Sequence, residues 1–254
     1  MRPLRDTSYI GKVLHYYDST DSTNSRMHAM LSDKTSYVQE GTLVLAGTQT
    51  AGRGQRQNVW ADRQGSSVLA TVLFKPQLSD VKKVFYLNKA VAVALQNAIA
   101  IYCPDVRIKW PNDILSNGKK IAGILIENGF AGNTLTSVVC GFGINVLQDT
   151  FPDELPHATS RYMVSGKRPD LAEVLQTVAQ ALESTYDLFR AGAYPDIDKM
   201  YHEHLFGLHI QRPFLFKNEP VQGVIQGVHV DGSLKLQIEN RVHSVNLQDV
   251  QYIL

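Results

Sequence analysis

Lys109-Trp110-Pro111-Asn112-Asp113 and Lys119-Lys120-Ile121-Ala122-Gly123-Ile124-Leu125 place three lysines, an amide and a carboxylate within one short span of chain. Asn117-Gly118 lies between them, and this dipeptide favours a tight hairpin turn, so Lys120 is carried back alongside Asp113. Pro111 restricts Trp110 to extended backbone. A lysine beside a carboxylate is ordinarily a surface ion pair. Here it enters an apolar strand whose alternation predicts Lys120, Ala122 and Ile124 on one face, which gives an inward-pointing cation. Such a cation stabilises negative charge that develops on oxygen.

Two further stretches could bind an anion or a polar ring. In Gly47 to Trp60, glycines allow backbone amides to approach an anion. Arg53 and Arg56 can pair with phosphate or carboxylate oxygens, and Trp60 offers a flat apolar face. The same composition also suits a solvated, non-rigid loop. In Gly141-Phe142-Gly143-Ile144-Asn145-Val146 an asparagine sits inside an apolar strand, and a structural hydrogen bond or a ligand would satisfy it. No GxxxxGK[ST] loop, dinucleotide fingerprint or GxSxG elbow occurs. His202 and His204, one residue apart, fall on different faces of a helix and do not suit a metal.

The elements that must hold these groups follow from periodicity. Val13 to Tyr17 reads as a strand, and the polar cluster Asp18 to Asn24 leads into a short helix for which Ser22 or Thr23 could serve as N-cap. Thr42 to Ala46 and Ser67 to Phe74 are strands, and Phe85 to Ile101 is a core helix through Leu87, Val91, Leu95 and Ile99. Residues 106–146 read as successive strands and 170–205 as helical. Beyond Ile210 the period changes to two, over Pro213 to Phe216, Val221 to Val230, Leu234 to Ile238 and Val242 to Val245, which predicts a small β-barrel or sandwich.

The chain of 254 residues is 44% hydrophobic and 19% charged, enough for one full core and a small appendage. A formal charge of +1 leaves no footprint for non-specific nucleic-acid binding. No apolar h-region follows the basic start, and no window approaches the roughly 18 apolar residues of a membrane span. Cys103 and Cys140 read as separate buried thiols in a reducing cytoplasm.

Together these stretches resemble the biotin protein ligase family. The resemblance rests on Asp21-Ser22-Thr23-Asn24, on Gln49 with Ala51-Gly52-Arg53-Gly54 and Trp60, on Lys109 to Asp113, on Lys120 with Gly123-Ile124-Leu125, and on Gly141 to Asn145. Of the two triplets Asp18-Ser19-Thr20 and Asp21-Ser22-Thr23, only the second is followed by asparagine. The resemblance implies an α+β fold, with a mixed-sheet catalytic domain of the biotin/lipoate ligase type over 1–208 and a small SH3-like β-barrel over 209–254. It implies that ATP and Mg²⁺ activate biotin as an acyl-adenylate, which a lysine of a biotin carboxyl carrier protein domain then attacks. Lys120 and Arg53 would be the catalytic cations. Ser22, Thr23, Asn24, Gln49, Gly52, Arg53, Gly54, Gln55 and Lys120 would contact biotin, and Gly123, Gly141 and Gly143 would leave room for its bicyclic ring. Arg53, Arg56, Trp60, Lys109, Asn112, Asp113, Lys120 and Asn145 would hold ATP, with Trp60 near the adenine and Asp113 also at the metal. The resemblance also admits a homodimer.

Gln55 stands where many members carry arginine, and Gln57 where they carry glycine, so the loop is less basic and Arg56 would partly compensate in retaining the adenylate. A lipoate or octanoate ligase or transferase shares the fold, but the intact Lys109 to Asp113 motif speaks against it. A non-enzymatic biotin-sensing repressor is not expected, because the residues before Asp21 cannot hold a helix-turn-helix. Lys120 speaks against a binder without turnover.

Overall fold

The computed structural model describes residues 3–33, 35, 37–55 and 59–253. A seven-stranded sheet is built from β1 (Leu14–Tyr17), β2 (Leu43–Ala46), β3 (Ser67–Phe74), β4 (Val106–Lys109), β5 (Asp113–Ser116), β6 (Lys119–Ala131) and β7 (Thr134–Asn145), in the order β1-β2-β3-β7-β6-β5-β4. β1 and β2 pair in parallel and the remaining neighbours are antiparallel, so the sheet is mixed. All eight residues of β3 are buried, because both faces of the sheet are covered there.

One face carries the main core. α2 (Val84–Ala100) and α4 (Leu171–Arg190) pack on it, and the small residues Ala90, Ala94 and Ala98 of α2 belong to that core. α4 begins at Asp170, whose side chain accepts from the Ala172 amide, and buries Val174, Leu175, Val178, Leu182 and Phe189 at helical spacing. The helical stretch anticipated over 170–205 breaks at Gly192, which adopts φ +73° between α4 and α5 (Tyr194–Glu203). A short helix, α3 (Arg161–Ser165), was not legible in the sequence. On the opposite face, α1 (Thr23–Ser32) buries Met27 against Val38, Val44, Leu73 and Val139.

The hairpin at Asn117-Gly118 forms as the sequence predicts, with φ of 49° and 74°. The strand after it departs from simple alternation. Leu115 pairs with Lys120 and Ile114 with Ala122, so Ile121 is an extra residue, a β-bulge. Ala122 and Ile124 join the main core, whereas Lys120 turns to the other face with Gly123 and Leu125. The expectation that Lys120 shares a face with Ala122 and Ile124 is therefore corrected. An unbulged strand would send it to the core.

A second sheet is fully antiparallel. It comprises β8 (Gln211–Phe216), β9 (Glu219–Val228), β10 (Leu234–Ile238), β11 (Arg241–Val245) and β12 (Val250–Tyr252), in the order β11-β10-β9-β8-β12. The strand β12 was not anticipated. Hydrogen bonds made by three side chains, together with a shared apolar core, fasten this sheet to the first layer. Lys89 of α2, 1% exposed, donates to Asp198 of α5 at 2.5 Å and to the Val228 carbonyl. His202 accepts from the Val228 amide, and the Trp110 indole donates to the Gly232 carbonyl at 2.9 Å. Cys103 and Cys140 are separate buried thiols. No helix of the described residues is long and apolar enough to cross a membrane.

Candidate active site

A cavity of about 680 Å³ opens on the α1 face of the large sheet, where Gly123, Gly141 and Gly143 line up across β6 and β7. Its wall includes Ser22, Thr23, Asn24, Gln49, Arg53, Gly54, Gln55, Trp60, Lys109, Asn112, Asp113 and Lys120, so the chain brings together nearly every residue singled out from the sequence. Such a volume suits a small molecule or cofactor.

One end of the wall is polar and uncharged. Ser22 is the N-cap of α1, yet its hydroxyl makes no capping bond. The Thr23 amide donates to Gln49 Oε1 at 2.8 Å, and its hydroxyl lies 3.1 Å from the same oxygen. Thr71, fully buried in β3, places its hydroxyl 2.7 Å from Thr23 Oγ1 and 2.6 Å from Asn24 Oδ1. Asn24 Nδ2 donates to Glu127 at 2.7 Å, and the second carboxylate oxygen of Glu127 takes Arg53. Desolvation raises the pKa of Glu127, but the bonds from Asn24 and Arg53 outweigh it and hold the carboxyl below the usual carboxylate range.

The other end is cationic. Asp113 receives Lys120 Nζ at 2.6 Å on one oxygen and Lys109 Nζ at 3.4 Å on the other. Lys109 also sits 4.9 Å from the Tyr252 ring centroid. Among the described residues, Arg53, Lys109 and Lys120 line the cavity with Asp113 as the carboxylate, and even with Glu127 behind Arg53 the cations outnumber the carboxylates, a surplus that attracts phosphate and carboxylate groups. The backbone of Lys120 is clamped on its free side, since its amide donates to the His157 carbonyl at 2.7 Å and its carbonyl accepts from Thr159. Asn112 Nδ2 donates to the Ile124 carbonyl at 2.8 Å and so ties the turn after β4 to β6.

The glycine positions do not stand open. A Cβ on Gly143 would lie 2.5 Å from the Trp60 indole, and one on Gly141 would collide with the Asn24 amide. Trp60 therefore lies flat on the backbone of Gly143 and Gly123, with Lys120 Nζ 5.6 Å from its ring. Gly52 is not in the lining. It instead allows the Trp60 backbone to pass, and the Trp60 amide donates to the Gly52 carbonyl. The first half of the loop is pinned rather than free, because the Thr50 and Ala51 amides donate to the Thr20 and Asp21 carbonyls.

Asn145 departs from its expected place on the phosphates. Its amide donates to the Thr159 carbonyl at 3.0 Å and its oxygen lies 3.5 Å from Gln148, outside the cavity wall. Arg56, Gln57 and Asn58 lie outside the described residues, so the compensation expected of Arg56 rests on sequence alone. Gln55 does line the cavity, with a buried Oε1 that has no partner among the described residues. Sequence reasoning missed Thr71, Glu127, His157 and the C-terminal residues Leu247 and 250–253 of the wall. A polar residue in the apolar run Ser67 to Phe74 was the available signal for Thr71; nothing local announces the C-terminal residues.

Residues 16–145 match the profile of the biotin/lipoate A/B protein ligase family. The chain is 32% identical over 249 residues to the bifunctional ligase/repressor BirA of Bacillus spizizenii, covering 96% of this chain and 75% of that protein. It is 28% identical to the biotin--[acetyl-CoA-carboxylase] ligase of Mycobacterium tuberculosis, over 99% and 95% of the two chains. The biotin protein ligase of Aquifex aeolicus, solved in complex with biotin and ATP, has the same fold, with a TM-score of 0.78 at 23% identity over 95% of this chain and 100% of that one. The chain thus belongs to the biotin/lipoate A/B protein ligase family, on its biotin protein ligase branch, and is a ligase.

Proposed function

We propose that this chain joins biotin to ATP as biotinyl-5′-AMP and then passes the biotinyl group to a lysine of a biotin carboxyl carrier protein domain. The observation that carries the reading is the split character of one cavity, a neutral hydrogen-bonding row through Ser22, Thr23, Asn24 and Gln49 beside the cations Arg53, Lys109 and Lys120. A ureido ring needs neutral donors and acceptors at one end, whereas its valerate carboxylate and a triphosphate need cations at the other.

In the first step a biotin carboxylate oxygen attacks the α-phosphorus and pyrophosphate leaves. In the second the carrier amine attacks the acyl carbon, AMP leaves with the bonding pair, and the amine loses a proton. Both transition states gather charge on oxygens. Lys120 exchanges Asp113 for those oxygens, and Arg53 exchanges Glu127. Asp113 is the one carboxylate of the lining among the described residues and a hard oxygen donor. Mg²⁺ typically takes one or two carboxylates together with substrate phosphates, so the residues fit the ion, which would neutralise charge on the phosphates. The reading takes 1–208 as the catalytic domain and 209–254 as the SH3-like domain, and places the enzyme in the cytoplasm, in keeping with its two free thiols.

Mass spectrometry of a biotin carrier domain after incubation with the protein, biotin and MgATP tests this directly. One biotinyl group on one lysine is the expected result. Pyrophosphate release that prefers lipoate or octanoate over biotin would overturn it.

A further inference from the structure

His202 joins two backbone groups whose hydrogen-bond roles are both fixed. Its Nδ1 lies 2.8 Å from the Asp198 carbonyl, which only accepts, and its Nε2 lies 3.0 Å from the Val228 amide nitrogen, which only donates. The ring is therefore neutral, with its proton on Nδ1 and a bare Nε2. A second proton would turn Nε2 into a donor facing a donor and leave the Val228 amide without this partner. Around the ring stand Asp198 and Tyr201 of α5, Lys89 and Tyr86 of α2 and Lys235 of β10. Lys89 already balances the Asp198 carboxylate at 2.5 Å, so an imidazolium would be surplus charge. His229, in the adjoining turn, bonds to Ser244 of β11 instead.

The joint is a short lever onto the cavity. Beyond Val228 the turn into β10 closes on itself, since the His229 amide donates to the Ser233 carbonyl at 2.8 Å and the Gly232 amide to the His229 carbonyl at 3.1 Å. The Gly232 carbonyl takes the Trp110 indole at 2.9 Å, and Trp110, 3% exposed, stands in the chain between Lys109 and Asn112-Asp113 of the cavity wall. We infer that His202 is a positioning residue whose neutral ring holds the turn between β9 and β10, and through Trp110 the Lys109 to Asp113 end of the cavity, so that protonating it loosens that end. The consequence for nucleotide rests on the reading that Lys109 and Asp113 receive ATP; the joint itself does not.

The test first uses Trp60→Phe in the full chain, which leaves Trp110 as the single tryptophan. Lowering the pH from about 8 to about 5.5, across the ordinary histidine range, is expected to red-shift its emission with far-UV circular dichroism unchanged. Adding His202→Gln, whose amide oxygen still accepts from Val228 but takes up no proton, is expected to hold the emission at its pH 8 position throughout. Adding His202→Leu, which has no acceptor, is expected to red-shift it at both pH values. With Trp60 in place, pyrophosphate release is measured in the wild type and in His202→Gln. The ratio of their KM values for MgATP is expected to rise about fivefold over the same fall in pH, the scale of one hydrogen bond, and the ratio for biotin to stay level. An emission that does not move in Trp60→Phe overturns the inference, as does a shift that persists in His202→Gln or one accompanied by loss of the helical signal. An emission shift with an unmoved KM ratio overturns the coupling to the nucleotide end. If one His202 variant does not fold the other decides, because pH dependence should be absent from both. Wild-type protein that releases no pyrophosphate with biotin overturns the functional reading and leaves the emission shift to decide the joint.

Discussion

Lys120 bonds to Asp113 at 2.6 Å while 39% of its side chain is exposed, so little of the fold depends on it and much of the proposed chemistry does. Lys120→Ala is expected to slow adenylate formation by about 100- to 1000-fold, the usual effect of removing one preorganised donor from a developing oxyanion. Its unfolding free energy in urea should change by no more than about 0.5 kcal/mol, as for other exposed positions. Near-normal turnover in that variant removes the lysine from the mechanism. Gly143 is tested by the opposite kind of change, an added methyl group. A Cβ there sits 2.5 Å from the Trp60 indole, so Gly143→Ala is expected to displace the ring and raise KM for biotin about tenfold, the scale of a modest overpacking penalty. Unshifted tryptophan fluorescence together with an unchanged KM would show that the indole does not shape the pocket.

Among the elements, β6 does the most with the least. One inserted residue, Ile121, lets the strand bury Ala122 and Ile124 in the main core and still present Lys120 to the cavity. α4 acts at a distance from the site. Its Glu183 carboxylate accepts from the amides of Ser8 at 2.5 Å and of Tyr9 and Ile10 at 3.0 Å, and so straps the N-terminal segment to the helix. Desolvation raises the pKa of Glu183, but those amide bonds outweigh it and hold the carboxyl below the usual range. A depressed folded value means that the stabilisation is complete above the ordinary carboxylate range and lost as pH falls through the folded value. Glu183→Ala is expected to cost about 2 kcal/mol in urea unfolding at neutral pH, with the difference from wild type shrinking in acid. An equal difference at both pH values would mean that packing, rather than the ionised carboxylate, is responsible.

At the scale of the whole molecule, the second sheet helps form the cavity. Leu247, Val250, Gln251, Tyr252 and Ile253 stand in its wall, and the Tyr252 ring lies under the Lys109 ammonium. Lys89, His202 and Trp110 fix the position of that sheet through its backbone at Val228 and Gly232. If Lys109 binds the nucleotide, Tyr252→Ala should raise KM for ATP about tenfold, in line with a partly desolvated cation–π contact, and leave KM for biotin unmoved. Tyr252→Phe retains the ring and deletes a hydroxyl that has no partner among the described residues, so it should behave as wild type. Equal effects on both substrates would indicate general loosening instead.

The amino-acid sequence by itself determined most elements and most of the site. Periodicity located α2, the Asn117-Gly118 hairpin and the change of period near Ile210, because these depend on neighbours a few residues apart. The motifs named Ser22 to Asn24, Gln49, Arg53, Lys109, Asp113, Lys120 and the glycines, since chemistry constrains residue type at each of them. Only the tertiary structure decided which way those groups turn. The bulge that aims Lys120 depends on pairing with β5, the fate of Asn145 on a carbonyl fourteen residues away, and the bonds of Glu127 on side chains at positions 24, 28 and 53. The entry of residues 247–253 into the cavity wall depends on how two sheets pack. None of these carries a local signal, because hydrogen-bond partners and cavity walls are set by distance in space rather than along the chain.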